Sequence, residues 1–85
     1  MEDHVIYGIH IIREHVSDLQ KILSEHGANI KTRLGLHDVS NNISSPSGLI
    51  LLEIVGEEKE RNELFEKLQK VKTVEVQKMI FKHEK

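Results

Sequence analysis

The stretch TRLGLHDVSNNISSPSGLILLEIVG, residues 32 to 56, decides the fold because it carries two strand patterns with only a polar loop between them. Residues 30–37 alternate between two sets of side chains, which predicts a half-buried strand. Residues 40–47 predict a loop, since Asn and Ser hydrogen-bond to nearby backbone and the single proline cannot donate to a sheet. Residues 48–56 are apolar on both faces apart from Glu53, which favours a central strand. We therefore predict two strands joined directly, without a helix.

Each side of this pair carries another strand and a helix. HVIYGIHII, residues 4–12, is short and rich in β-branched side chains, so it predicts a strand. Residues 13–27 have helical spacing and end on a glycine, which favours the left-handed conformation. Residues 57–72 predict a second helix with an acidic first turn. In residues 74–81 the alternation breaks at a lysine, which indicates a bulge in the last strand or a change of which face is covered.

The resulting order of strand, helix, strand, strand, helix, strand is that of the α+β, ferredoxin-like βαββαβ fold. In this fold a four-stranded antiparallel sheet carries both helices on one face. The first and third strands are central, the fourth lies beside the first, and the second lies beside the third. We expect residues 1–85 to form one such domain.

The composition excludes several classes of function. The 85 residues include no cysteine, so disulfides, thiolate metal sites and a cysteine nucleophile are all excluded. Twelve basic and fourteen acidic side chains give a formal charge of -2, and there are only three aromatic residues. Direct binding to nucleic acid is not expected, because it needs phosphate-neutralising charge or stacking platforms.

The N-terminal residues MEDHVIYGIHII show no basic segment followed by a small-residue cleavage site, as a signal peptide would. No apolar run approaches the roughly 18 residues that span a bilayer. We expect a cytoplasmic protein with no membrane partner.

The two faces of the predicted sheet differ in what covers them. The helices are expected to cover Val5, Tyr7, Ile9 and Ile11 of the first strand and Ile50, Leu52 and Ile54 of the third. The opposite, open face would then carry Ile6, Ile12, Leu49, Leu51 and Val55. An apolar patch of this kind usually marks an interface. We expect a homo-oligomer, a dimer or tetramer, that buries the open face or the sheet edges.

Six histidines are the unusual feature of the composition. Strand parity predicts that His10 and His37 share the open face with Arg33 and Glu53, and that Arg33 forms a cross-strand ion pair with Glu53. Gly8 and Gly35 could admit a ligand or another backbone, and a glycine in a strand can equally mark a bulge. The candidate ligand-binding set is His10, Arg33, Gly35, His37 and Glu53. The alternative is that each histidine is an ordinary surface or interface residue, since none has metal-ligand spacing.

We do not expect an enzyme, since the sequence shows neither an activated nucleophile nor a close pair of carboxylates. A small dimeric-barrel enzyme in which His10 or His37 acts as a base is the weakest hypothesis.

The segment GLILLEIVGEEKERNELFEKLQKVKTVEVQKMIF resembles the ACT-like C-terminal domain of nickel-responsive regulators. It is also similar to the small proteins classed as iron-only hydrogenase system regulators, in which TRLGLHDV would be the second strand. The similarity covers roughly residues 5–82 and rests on hydrophobic pattern and a few glycines. In nickel-responsive regulators, histidines and a cysteine bind the metal at subunit interfaces. The resemblance implies His15 and His37 as metal ligands here, in a chain without cysteine.

The resemblance implies an ACT-like regulatory module, without its own DNA-binding domain, that senses a small molecule or a metal as a homo-oligomer. Its mechanism would be linkage, in which an effector at a subunit interface favours one assembly over another. The alternative hypothesis is a histidine-based metal-binding protein. The sequence identifies neither the effector nor a cofactor.

Overall fold

The computed structural model describes residues 3–12, 17–37 and 48–82. Its elements, in chain order, are β1 (His4–Ile11), α1 (Ser17–Glu25), a 3₁₀ turn (Gly27–Asn29), β2 (Ile30–His37), β3 (Gly48–Ile54), α2 (Glu58–Gln69) and β4 (Val74–Phe81). The strands form one sheet in the order β2-β3-β1-β4, and every neighbouring pair is antiparallel. The predicted ferredoxin-like fold is confirmed.

A single hydrophobic core lies between the sheet and the two helices. Alternate residues of the central strands are buried there together with two leucines from each helix, which places both helices on one face. The core consists of Val5, Tyr7, Ile9, Leu19, Leu23, Ile50, Leu52, Ile54, Leu64, Leu68, Val71 and Val74. The strand residues predicted to be covered are therefore the ones that are covered, and Ile11 is partly buried beside them.

Tyr7 links this core to α2. Its hydroxyl donates a hydrogen bond of 2.7 Å to the backbone carbonyl of Arg61, and its ring meets the Phe65 ring edge-on at 5.1 Å. Burial raises the pKa of Tyr7, and the nearby charge of Arg61 partly offsets that effect. The polar tip of the largest buried side chain is thus satisfied by a backbone group.

The strand irregularity lies in β2 and not in β4, where it was predicted. β4 pairs with β1 without interruption, so Lys78 lies in the row of Tyr7 on the helix side of the sheet. Its ammonium group lies over the Phe65 ring, 4.6 Å from the centroid. The register of β2 instead shifts between Ile30 and Thr32. Ile30 pairs with Ile54 and packs against the core, whereas Thr32 pairs with Glu53. The residues after the shift therefore lie on the faces opposite to those predicted.

The glycine with special backbone geometry is Gly56, which has a φ of 109°, and not the glycine that follows α1. The chain leaves α1 through the 3₁₀ turn, so the expected left-handed end at Gly27 is wrong. Gly56 makes the turn between β3 and α2. A Cβ atom there would collide with the side-chain amide of Asn29 and would lie 2.8 Å from Oε1 of Glu60.

Candidate functional site on the open sheet face

The face of the sheet that no helix covers is called the open face here. Cross-strand register assigns to it Thr32 and Leu34 on β2, Leu49, Leu51 and Glu53 on β3, Ile6, Gly8 and His10 on β1, and Glu75, Gln77 and Met79 on β4. Leu34, Leu49 and Met79 are exposed, and Leu34 and Met79 each leave about half of their surface to solvent, 51% and 54%. The predicted apolar face is present, and the two edge strands extend it.

Glu53 is the centre of a polar cluster at one end of the open face. One carboxylate oxygen accepts a hydrogen bond of 2.9 Å from the Thr32 hydroxyl, and the other lies 3.0 Å from Nε2 of His4. Thr32 stands directly opposite Glu53 in the register, and His4 reaches it diagonally from β1. These contacts lower the pKa of Glu53, the Thr32 hydrogen bond most and the His4 hydrogen bond next. Glu53 is therefore held as a carboxylate.

The other end of the open face carries His10. Its Nδ1 lies 3.5 Å from a carboxylate oxygen of Glu75, its register partner on β4. His10 is thus on the face of the sheet that strand parity predicted. Glu75, which the sequence analysis did not single out, is its partner.

Arg33 is not on the open face. Its register partner is Leu52, a fully buried core residue, and its guanidinium donates a hydrogen bond of 3.1 Å to the side-chain carbonyl of Gln20 on α1. The predicted ion pair between Arg33 and Glu53 is therefore wrong. The register shift places Thr32 opposite Glu53 and turns Arg33 toward the helices.

The other two residues of the candidate set on β2 follow Arg33. Gly35 pairs with Ile50 of the core, and His37 pairs with Gly48, whose other neighbour is the partly buried Ile11. Both register positions belong to the helix side, so the prediction that they share a face with His10 is wrong. His37 does lie at the same end of the sheet as His10.

Metal binding has a limited basis in the structure. His15 lies outside the described residues, and His37 is placed only by its backbone register. Within residues 3–12, 17–37 and 48–82, no group of three or more histidine, aspartate or glutamate side chains is arranged to hold a metal ion. The pair of His4 and Glu53 offers one imidazole and one carboxylate close together.

An open depression borders the Glu53 cluster and continues toward the start of α2. Its volume is about 760 Å³, and its walls include His4, Glu53, Lys31, Gly56 and Arg61. That volume is in the range of small-molecule sites. A second depression, of about 570 Å³, lies between α1 and the turn after α2 and does not touch the open face. Only the first could place a small ligand against Glu53.

Sequence reasoning missed three residues of the site, His4, Thr32 and Glu75. Thr32 was assigned to the helix side because the alternation was continued through Lys31, where the register shifts. His4 and Glu75 depend on the exact pairing of β1 with its two neighbours. A shift by one residue would move each contact to the other face, and the alternation alone does not fix that register.

Comparisons with known proteins bear on the fold alone. No family model and no curated protein matches the chain. The fold is similar to the structure of the uncharacterized protein TM1266 from Thermotoga maritima, with a TM-score of 0.73 and 15% identity over 95% of this chain and 100% of that chain. The de novo designed protein Foldit4 is similar with a TM-score of 0.54 and 16% identity, over 98% and 100% of the two chains. These similarities define an α+β domain of the ferredoxin-like class, and the resemblance to ACT-like regulators stays a prediction.

Proposed function

We propose that the protein is an effector-sensing regulatory module of the ACT-like kind that works as a homo-oligomer in the cytoplasm. The open face supports this proposal most directly, because it combines an apolar centre with a histidine–carboxylate pair at each end. Apolar faces with polar margins are typical of interaction surfaces. The described residues include no helix long and apolar enough to cross a membrane.

The effector would bind in the depression beside Glu53. Its charged walls are mostly acidic, with Lys31 and Arg61 set against the carboxylates of Asp3, Glu53, Glu57, Glu58 and Glu60. A small molecule with an amino group for these carboxylates, such as an amino acid whose own carboxylate meets Lys31 or Arg61, fits this lining by charge. The open face lies next to this depression, so a bound effector would alter the end of the surface on which subunits meet.

Regulation would follow from linkage. An effector that binds one assembly more tightly than another shifts the equilibrium between them by the ratio of its two affinities. The protein would bind no nucleic acid itself and catalyse no reaction, so any effect on transcription would require a partner protein.

A histidine-based metal-binding protein is the second candidate. The observation that favours it is the 3.0 Å contact between Nε2 of His4 and the carboxylate of Glu53. Zinc prefers four ligands of the imidazole, carboxylate or thiolate type. Two such pairs from two subunits would complete a site, as would the predicted ligands His15 and His37.

Sedimentation combined with elemental analysis and thermal unfolding separates these proposals. For the sensor, we expect a metal-free oligomer whose melting temperature rises when an amino acid or a nucleotide from a panel is added. That rise should be lost in Glu53→Gln and kept in Glu75→Gln, a matched variant at the other end of the face.

The metal hypothesis predicts stoichiometric metal in the purified oligomer. The metal would disappear in a double variant, either His4→Ala with Glu53→Gln or His15→Ala with His37→Ala, and would persist in His26→Ala. A monomeric, metal-free protein that responds to no compound in the panel would contradict both proposals.

A further inference from the structure

We propose that a second copy of this chain docks on the open face about a two-fold axis parallel to the strands, so that Leu51 of each copy lies over Gly8 of the other. This inference rests on the proposed homo-oligomer and specifies its surface and its symmetry. The occupant is another copy of the chain, and the surface is the centre of the sheet.

The first step concerns the centre of the open face, where a large side chain stands beside a position without one. Gly8 and Leu51 are register partners on the two central strands, β1 and β3. A Cβ atom added to Gly8 would meet only Cδ2 of Leu51 within 4 Å, at 3.7 Å, which is an ordinary contact. The face therefore has a projection and a hollow side by side.

The second step concerns symmetry. In a face-to-face dimer with closed two-fold symmetry, the axis lies between the sheets and the contact is isologous. An axis along the strands exchanges β1 with β3 and places each Leu51 opposite a Gly8. An axis across the strands would instead place Leu51 over Leu51 of the other copy and Gly8 over Gly8 of the other copy. The two leucines would then be crowded, and a void would remain between the two glycines. Close packing favours the first arrangement.

The third step concerns area. Four strands about 4.8 Å apart and eight residues long, at about 3.3 Å per residue, span roughly 500 Å² of projected sheet. The accessible area of a surface with side chains exceeds its projection, so the face approaches the roughly 800 Å² per partner of a standard stable interface. A smaller partner, such as a single peptide strand, would leave most of this face uncovered.

The fourth step concerns charge. The described part of the face has two carboxylates, Glu53 and Glu75, and each already has a histidine partner within its own chain. The row between them, which runs through Leu34, Leu51, Gly8 and Gln77, carries no charge. The centre of one copy therefore meets the centre of the other without like-charge repulsion. Within residues 3–12, 17–37 and 48–82 the face carries no strip of basic side chains, which disfavours a polyanion as the occupant.

Sedimentation equilibrium of two matched variants tests the surface. Leu34 and Ile80 are aliphatic residues on the two edge strands and are 51% and 41% exposed. Leu34 is on the open face, whereas Ile80 is the register partner of Val5 and therefore lies on the helix side. We expect Leu34→Lys to raise the dimer dissociation constant about tenfold or more, because a buried unpaired charge is costly. Ile80→Lys should change it by less than about threefold.

Crosslinking tests the symmetry, and the absence of native cysteine makes single-cysteine variants specific. An axis along the strands places Leu34 of one copy opposite Gln77 of the other, across sheets about 10 Å apart. A mixture of Leu34→Cys and Gln77→Cys chains should crosslink with a bismaleimide of about that reach, and neither variant should crosslink with itself.

The outcomes distinguish this inference from the proposed function. A wild-type chain that sediments as a monomer at all concentrations contradicts the homo-oligomer and this inference together. A wild-type oligomer that tolerates Leu34→Lys, or that dissociates with Ile80→Lys, contradicts the docking surface alone. Crosslinking of Leu34→Cys with itself overturns the proposed axis. Circular dichroism of each variant confirms that it is folded before it is compared.

Discussion

The side chains that contact Glu53 are determined by how β3 pairs with β1 and with β2. Thr32 bonds to it from β2 and His4 from β1, and both contacts lower its pKa. Arg33, one residue from Thr32, bonds to α1 instead. The local sequence is compatible with either residue beside Glu53, and only the shift in register decides between them.

We expect Thr32→Val to raise the pKa of Glu53 toward its ordinary value of 4.5, because the variant removes the largest cause of its lowering. Since the folded-state pKa is lowered, the contribution of Glu53 to stability is present above its unfolded pKa and is lost as the pH falls through the folded one. Carbon-detected NMR titration of the carboxylate measures the shift. Arg33→Gln is the control and should leave the pKa unchanged. A rise in the pKa of Glu53 in Arg33→Gln would show that Arg33 does form an ion pair with Glu53, and would contradict the register.

A side chain is less tolerated at Gly56 than at Gly8, Gly27 or Gly35. The φ of 109° at Gly56 and the contacts with Asn29 and Glu60 leave no room for a Cβ atom. We expect Gly56→Ala to lower the free energy of unfolding by at least about 1 kcal/mol. Gly35→Ala is the matched control, since nothing lies within 4 Å of its Cβ position. Urea denaturation measures both, and equal values for the two variants would contradict the prediction.

At the scale of elements, alternation and helical spacing identified every described strand and helix. They misplaced one irregularity, because Lys78 looks like a break in an apolar pattern. The structure shows why a lysine is accommodated there, since its ammonium group lies over the Phe65 ring on the helix side of β4. A cation over an aromatic face is stabilised by the charge distribution of the ring. The backbone at Lys78 is thus regular, and only the presence of a charged side chain on the helix side is unusual.

This contact ties the edge strand β4 to α2. We expect Lys78→Gln to lower the free energy of unfolding by about 0.5–1 kcal/mol. A double-mutant cycle with Phe65→Leu, followed by chemical denaturation, should assign most of that loss to the pair. Lys82→Gln, just beyond the end of β4, is the control and should have little effect. Additive effects of the two substitutions would mean that the pair contributes nothing.

At the scale of the whole molecule, one face of the sheet forms the core, and the open face exposes an apolar centre between its two histidine–carboxylate pairs. A chain of 85 residues buries only roughly 60–65% of the surface that its unfolded form exposes, so its stability as a monomer is limited. Association through the open face would remove further apolar surface from water. Subunit assembly and stability are therefore expected to be coupled.

The coupling makes a measurable prediction. Because dissociation accompanies unfolding, we expect the melting temperature to rise with protein concentration. Differential scanning calorimetry over a hundredfold range of concentration tests this expectation. The dependence should be weaker in Leu34→Lys, in which the dimer forms only at higher concentrations, and unchanged in Ile80→Lys. A wild-type melting temperature that is independent of concentration would argue against an oligomer that contributes to stability.

The sequence by itself determined the order of the elements, the fold class and the buried rows of the central strands. Those features follow from local periodicity, in which an apolar side chain at every second position must find a covered face. It also placed Glu53 and His10 on the open face. The tertiary structure decided which residues meet them, because one extra residue before Thr32 reverses the face of the rest of β2. The opening stretch therefore specified a pair of strands, while the pairing of those strands specified the site.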